Sequence, residues 1–252
     1  ALNSLAALSS LSITTRTADD AAATALTFDR QGAIATRAPI AREVGTTISV
    51  TDLFGPFPVR RRELQRNAPA EMRKLVSALQ AYALVCDGVR FSASLTGGRG
   101  GRQSLLQTEG GKGGPRAAIA AVFGAKVLGE LTPFSAECDG GYRASGFVSK
   151  PRAGFGRRQG DRQYVFVNQR PVDFPRAARA VNDAFRAATA KSECYPFLLL
   201  SISAPPGAYD VNVTPDKRTV LFADEIGVLG LVKSALEKLF AAEACSFGVH
   251  TD

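Results

Sequence analysis

The sequence predicts a mixed α/β protein, in which helices pack against β-sheets. Short apolar runs of strand length alternate along the chain with segments whose apolar residues recur every three or four positions. Hydrophobic residues make up 45% of the 252 residues and charged residues 21%, a composition that supports a buried core. No apolar run approaches the roughly 20 residues of a membrane-spanning helix, so no membrane partner is predicted.

Residues 1–56 have the pattern of one helix and four short strands. Leu5, Leu8 and Leu11 recur at helical spacing, and Ile48 and Val50 are expected to face the core from the last strand. The predicted strands cover residues 13–17, 25–29, 33–37 and 45–50. The chain begins with Ala and in mid-pattern, so we expect a sheet domain that starts further upstream.

Residues 57–87 predict a long connecting helix, which begins near Pro58 and ends near Gly88. Its expected inner stripe is Met72, Leu75, Leu79, Tyr82 and Cys86. Its first half is strongly basic, and this run is either a solvated face or a contact for phosphate, from ATP or DNA. The basic residues are Arg60, Arg61, Arg62, Arg66, Arg73 and Lys74.

Residues 88–240 predict a second α/β domain, followed by a polar tail over residues 241–252. Apolar runs indicate strands at 91–95, 104–108, 142–149, 163–167 and 196–203, with helices after Pro115, around Val181 and over residues 224–240. A glycine cluster surrounds Lys112, but Gly113 follows this lysine where a P-loop has Ser or Thr. We interpret the cluster as a loop.

The charge balance predicts a polyanionic partner. The formal net charge is +8 and the isoelectric point is near 9.6. Charge alone does not separate nucleic acid from acidic lipid or protein. The four cysteines are widely spaced and lack a Cys-x-x-Cys pair, which argues against a disulfide framework and a zinc site.

The stretch from Tyr209 to Phe222 places a lysine on a loop between two strands. Val211 and Val213 alternate with polar residues, Thr-Pro-Asp then breaks the pattern, and an apolar run resumes at Val220. Lys217 is therefore presented from a rigid support, where functional side chains are often found. The pattern alone favours an ordinary solvated lysine in a hairpin.

Asp-Val-Asn-Val-Thr-Pro-Asp-Lys-Arg resembles the hallmark of the MutL family of DNA mismatch-repair ATPases, in its eukaryotic post-meiotic-segregation branch. The resemblance implies that Lys217 reaches the γ-phosphate of ATP and that Asn212 lies beside it. Gly45-Thr46-Thr47 resembles the last ATP-site motif of the GHKL ATPase fold, although a plain strand start would look the same. The implied fold is the C-terminal part of a GHKL sheet domain, followed by a domain like domain 2 of ribosomal small-subunit protein five.

Asp161 to Asp173 is also similar to the post-meiotic-segregation branch, and the family's DNA-binding arginine matches Arg170. An unpartnered turn arginine is the alternative for Arg170. The neighbouring basic loop adds three candidate DNA contacts, Arg157, Arg158 and Arg162.

The resemblance further implies ATP and Mg²⁺ as cofactors of the intact protein. Its partners would be double-stranded DNA, a second MutL homologue in a heterodimer and a MutS-type complex, in the nucleus. The family's catalytic glutamate, magnesium-binding asparagine and adenine-site motif are not found in this sequence. We therefore expect this chain alone to bind neither cofactor and to hydrolyse no ATP.

Two other functions are compatible with parts of the sequence. A basic nucleic-acid-binding α/β module without nucleotide would explain the charge, but not the co-occurrence of the two ATP-site motifs. A different GHKL ATPase, such as a topoisomerase subunit, would share the fold but not the Thr-Pro-Asp-Lys-Arg sequence.

Overall fold

The computed structural model of the protein describes residues 2–86, 88–97, 100–111, 113–138, 140–152, 155–189, 194–211, 214 and 216–245. The chain divides into two compact units, which we call unit 1 (Ala1–Leu75) and unit 2 (Val76–Asp252). The predicted mixed α/β class is confirmed. The predicted site residue Asn212 lies outside the described residues, as does Lys112 of the predicted glycine-rich loop. The predicted tail over residues 241–252 is only partly correct, because residues 241–245 continue the last helix, and residues 246–252 lie outside the described residues.

Unit 1 contains a four-stranded antiparallel sheet in the order β3-β2-β1-β4, preceded by one short helix. The predicted helix and all four strands are present. Their bounds are α1 Leu2–Leu8, β1 Ser10–Arg16, β2 Ala23–Phe28, β3 Ile34–Ile40 and β4 Gly45–Thr51.

The prediction that Ile48 and Val50 face a core is wrong. Their side chains are 49% and 39% exposed, and every residue of β3 is exposed as well. The reason is that α1 has only seven residues and packs beside β1, so it does not cover the outer strands. The buried apolar side chains in the described part of unit 1 are Ala6, Leu11 and Ala23.

The predicted long helix is α2 (Pro58–Val85), and it begins at the proline that the sequence indicated. Its predicted stripe is only partly correct, because Leu75 and Tyr82 are about half exposed. The helix is buried instead through Ala81, Ala83 and Leu84, in its last two turns. These turns belong to unit 2 and pack within its core, where Tyr164 donates a hydrogen bond to the Gln80 side chain at 2.8 Å.

Unit 2 is built on a five-stranded sheet in the order β10-β9-β11-β8-β7. Strands β9 and β11 are parallel and the other neighbouring pairs are antiparallel. Its helices and strands after α2 are β5 Ser92–Thr96, β6 Arg102–Gln107, α3 Gly114–Phe123, α4 Ala125–Gly129, β7 Leu131–Glu137, β8 Arg143–Ser149, β9 Gln163–Val167, β10 Arg170–Val172, α5 Pro175–Thr189, β11 Leu198–Ser203, β12 Tyr209–Asp210, β13 Leu221–Phe222 and α6 Glu225–Cys245.

This sheet is buried on both faces, which explains the continuous apolar runs of its central strands. Along β9, Tyr164 and Phe166 pack with α3 and the end of α2, whereas Val165 and Val167 pack with α5 and α6. Burial in the first of these cores raises the pKa of Tyr164 to about 12. Helix α5 connects the parallel strands β9 and β11, as expected for a crossover connection.

Helix α4 and strand β7 were not predicted. Pro133 lies within β7, and proline inside a run argues against a strand from sequence alone. Because β7 is at the edge of the sheet, it can accommodate this proline without losing an interior pairing. Among the described residues, no helix is both long enough and apolar enough to cross a membrane.

Candidate functional site

The loop that carries Lys217 is held at its base by a short hairpin. Strands β12 and β13 pair antiparallel, with Tyr209 opposite Phe222. The amide of Ala223 donates to the carbonyl of Ala208 at 2.9 Å, which extends the closure by one more hydrogen bond. Val220, just before β13, is buried in the core of unit 2. The predicted placement of Lys217 between two anchored strands is confirmed.

Hydrogen bonds within the loop fix the backbone on both sides of Lys217. The carboxylate of Asp216 accepts from the Thr214 hydroxyl at 2.7 Å and from the Arg218 amide at 3.2 Å. These two hydrogen bonds lower the pKa of Asp216 below its usual value, and the bond from Thr214 has the larger effect. The amide of Lys217 donates to the Thr214 carbonyl at 2.9 Å. Lys217 itself has a φ of +54°, an uncommon conformation that marks a constrained turn.

A second attachment joins the loop to the end of strand β10. Arg218 donates two hydrogen bonds to the carboxylate of Asp173, and the amide of Asp173 donates to the Arg218 carbonyl. Asp173 and Thr219 also form an isolated parallel bridge. The hydrogen bonds that Arg218 donates to Asp173 raise the pKa of Arg218. No local pattern indicated this pair, because its members are 45 residues apart in the sequence.

The ammonium of Lys217 is left exposed by this arrangement. Among the described residues it has no hydrogen-bond or ion-pair partner, and the carboxylates of Asp173 and Asp216 are already bonded to Arg218 and Thr214. An exposed ammonium that has no bonded partner among the described residues suits the terminal phosphate of a nucleotide. The residues of this loop therefore fit such a group.

Arg170 lies beside a tight hairpin between β9 and β10. Asn168 and Gln169 both have positive φ angles, 45° and 66°, as a two-residue hairpin turn with the required twist needs. The Asn168 amide group exchanges two hydrogen bonds with the backbone of Ala204, at 2.9 and 3.0 Å. This fixes the hairpin to the end of β11. Arg170 is exposed, and within the described ranges its guanidinium has no hydrogen-bond or ion-pair partner.

The three arginines of the basic loop have different surroundings. Arg157 makes a two-fold hydrogen bond to the carboxylate of Asp161, which raises the pKa of Arg157, and its backbone pairs with Tyr195. Arg162 stacks over the ring of Phe123 at 5.0 Å. Arg158 is exposed and without a hydrogen-bond partner in the part of the chain that the structure describes. The number of positive charges in the loop does not distinguish these roles. The position of Asp161 four residues after Arg157 could have predicted their ion pair from the sequence.

Thr46 and Thr47 lie near the start of β4 in unit 1. The hydroxyls of Thr46 and Thr15 are 2.8 Å apart across the β1–β4 pair, and Thr47 pairs with Thr14. Both predicted threonines are exposed. The described residues contain no group of three or more His, Cys, Asp or Glu side chains that could hold a metal ion.

Comparisons with known proteins agree on one family. The family described as "DNA mismatch repair protein, C-terminal domain" matches residues 119–241. The DNA mismatch repair protein PMS1 of Arabidopsis thaliana is 42% identical over 99% of this chain, and the human mismatch repair endonuclease PMS2 is 36% identical over 99%. The chain spans only 27% of the Arabidopsis protein and 30% of the human one.

Two solved structures have the same fold. The crystal structure of the N-terminal domain of a DNA repair protein superposes with a TM-score of 0.88 and 28% identity, covering 97% of this chain and 75% of that one. The Aquifex aeolicus MutL ATPase domain complexed with ADP has a TM-score of 0.65 and 22% identity, and covers 94% of this chain and 76% of that one.

Proposed function

Since the chain belongs to the MutL family of DNA mismatch-repair proteins, we propose that it forms the nucleotide-sensing and DNA-contacting part of an ATP-dependent DNA clamp. In this proposal the clamp acts in the nucleus as a heterodimer with a second MutL homologue, next to a MutS-type mismatch-recognition complex. The eukaryotic relatives, which are named as mismatch-repair proteins, support this setting.

The observation that carries the proposal is the exposed ammonium of Lys217 on a doubly attached loop. We propose that Lys217 binds the γ-phosphate of ATP, with Asn212, Thr46 and Thr47 completing the nucleotide contacts. ATP supplies a terminal phosphate whose negative charge neutralises the ammonium. The described residues provide no metal cluster, so no step of the proposal depends on Mg²⁺ ligands from them.

The proposed DNA contacts are the side chains whose charge is not used inside unit 2. Arg170 and Arg158 are exposed, and no partner for either lies among the described residues. Arg157 and Arg162 are engaged by Asp161 and by the Phe123 ring, so they contribute mainly through the positive field of the surface. Exposed arginines of this kind position a protein on the phosphate backbone without reading sequence.

The test of the nucleotide site is Lys217→Ala in a chimera, in which the residues preceding the matching region of the Arabidopsis relative are joined to this chain. We expect the variant to lose most of the steady-state ATPase activity of the chimera and to keep its melting temperature, because the Lys217 side chain is exposed and has no hydrogen-bond or ion-pair partner among the described residues. Lys233→Ala is the matched control, since Lys233 is an exposed lysine of α6 that pairs with Glu237. Wild-type turnover from the Lys217 variant would remove this residue from the site.

A stand-alone nucleic-acid-binding module is the second candidate function. It is favoured by the unpaired arginines of unit 2, which need no nucleotide to bind a phosphate backbone. The two candidates differ in one measurement. DNA affinity of the chimera that does not change with ATP would support the module, whereas an ATP-dependent affinity that Lys217→Ala abolishes would support the clamp.

A further inference from the structure

Three arginines of unit 1 form a line along the exposed first half of α2. Arg62, Arg66 and Arg73 are separated by four and seven residues, a spacing that on a regular α-helix places their Cα atoms within about 40° of one another around the axis. Helix α2 continues through Pro69, which lies between the last two of these arginines. They extend over about 16 Å at the rise of an α-helix. All three side chains are exposed. We call this set the arginine stripe.

The neighbouring cations of the same helix have partners within the chain. Arg61 pairs with Asp52 at 3.0 Å, Lys74 pairs with Glu71 at 2.8 Å, and Arg60 lies over the Phe57 ring at 5.7 Å. The guanidinium groups of the arginine stripe have no hydrogen bond, ion pair or ring contact with any residue that the structure describes. The distinction follows position around the helix, because the unpaired cations are the ones that share a line.

The first half of α2 carries an excess of positive charge. The first turn contains no acidic residue, and Arg60, Arg61 and Arg62 lie near the N-terminal end, where the helix dipole is already positive. Arg62 and Arg66 are four residues apart, a spacing at which like charges repel on a helix surface. An external polyanion would relieve both effects.

We propose that the arginine stripe is a second binding surface for the phosphate backbone of duplex DNA, separate from Arg170 and the basic loop of unit 2. The choice of DNA among polyanions rests on the proposed function. One strand of B-DNA carries a phosphate about every 3.4 Å along its axis, so 16 Å covers about five phosphates. Arginine suits this role because its planar fork can donate two hydrogen bonds to one phosphate.

The experiment measures binding of this chain to a short labelled DNA duplex between about 50 and 200 mM KCl. The variant is Arg62→Gln/Arg66→Gln/Arg73→Gln. The control is Arg60→Gln/Arg61→Gln/Lys74→Gln, which removes the same charge from the same helix at its paired positions. We expect the stripe variant to bind at least tenfold more weakly at the lower salt. The slope of the logarithm of the binding constant against the logarithm of the KCl concentration should become less steep by about 2.7, near 0.9 for each lost phosphate contact. The control should change the slope by less than about one.

Parallel measurements separate this inference from the proposed function. Equal salt dependence of DNA binding in the stripe variant and the wild type would overturn the arginine stripe. If Arg170→Glu weakens DNA binding in the same assay, the proposed DNA contacts of unit 2 remain supported. An equal loss of DNA affinity in the stripe and control variants would show that only the net charge of α2 matters, and would overturn the proposed arginine stripe. Weaker binding to phosphatidylserine vesicles with unchanged DNA binding would also overturn it, since the partner would then be a lipid surface. Circular dichroism of each variant shows that α2 is still helical.

Discussion

The guanidinium of Arg218 donates two parallel hydrogen bonds to the carboxylate of Asp173, from Nε to Oδ2 at 3.0 Å and from Nη2 to Oδ1 at 2.7 Å. Arg218 directly follows Lys217, and Asp173 lies three residues after Arg170. This pair therefore connects the loop proposed to sense nucleotide with the hairpin proposed to contact DNA. Three residues of extended chain span at most about 11 Å, so the two sites are close in unit 2.

Asp173→Asn is expected to impair the nucleotide response without unfolding the protein. The substitution removes the charge that holds Arg218, so the Lys217 loop samples more conformations. Because both side chains are partly exposed, at 38% and 60%, the loss in unfolding free energy should be about 1 kcal/mol or less. ATPase activity of the chimera should fall several-fold, and it is measured beside the melting temperature.

Glu137→Gln provides the control for Asp173→Asn. Glu137 pairs with Arg143 in an exposed ion pair of unit 2, between the edge strand β7 and its neighbour β8. Its loss should leave ATPase activity unchanged. If Asp173→Asn also leaves activity unchanged, the Asp173–Arg218 pair has no positioning role.

Arg170→Glu is expected to weaken DNA binding by this chain and to reduce its salt dependence. Loss of one phosphate contact lowers the log–log slope by about 0.9, and the introduced negative charge adds repulsion. The fold should remain intact, because the hairpin is held by the Asn168 side chain and not by Arg170. Titrations at several KCl concentrations test this, and an unchanged slope would make Arg170 a turn residue without a role in DNA binding.

Arg157 and Arg158 are adjacent in sequence, but we expect their substitution to affect different properties: stability for Arg157 and DNA binding for Arg158. Arg157→Gln breaks the two-fold bond to Asp161 and should lower the unfolding free energy by up to about 1 kcal/mol, with little change in salt slope. Arg158→Gln removes an exposed cation and should lower the slope with little change in stability. Urea unfolding and DNA titration of both variants decide this, and indistinguishable profiles would contradict it.

The sequence predicted the fold best where burial imposes a simple pattern. Strand β9 was predicted with its observed bounds, because a strand buried on both faces is a continuous apolar run. The inner face of β4 was predicted wrongly, because alternation indicates which residues share a face but not whether anything covers that face. The Lys217 loop could be located from its turn residues, whereas its attachment to Asp173 follows from the arrangement of the sheet and had no local signal.

The Asp216 side chain should stabilise the Lys217 loop in a pH-dependent way. Its pKa is lowered in the folded protein from the ordinary value of 3.8, so its contribution to stability is present above pH 3.8 and is lost as the pH falls through the folded pKa. The difference in unfolding free energy between wild type and Asp216→Asn isolates this group from other carboxylates. We expect a difference that is constant near neutral pH and shrinks below pH 3.8. A difference that does not vary with pH would contradict the assignment.

Gly146 in β8 is expected to be intolerant of a side chain. Its φ is +155°, and a Cβ atom there would overlap the carbonyl of Leu199 on the neighbouring strand β11. Gly146→Ala should therefore destabilise unit 2 by about 1–3 kcal/mol or more, because neither strand can move without disturbing the core on both faces of the sheet. Gly230 in α6 is the control, since a Cβ atom there meets no heavy atom within 4 Å beyond its chain neighbours and the backbone of its own helix. Gly230→Ala should stabilise the helix by about 0.5–1 kcal/mol, so urea unfolding should move the two midpoints in opposite directions. A neutral Gly146→Ala would show that β8 and β11 are less closely packed than the hydrogen-bonded register indicates.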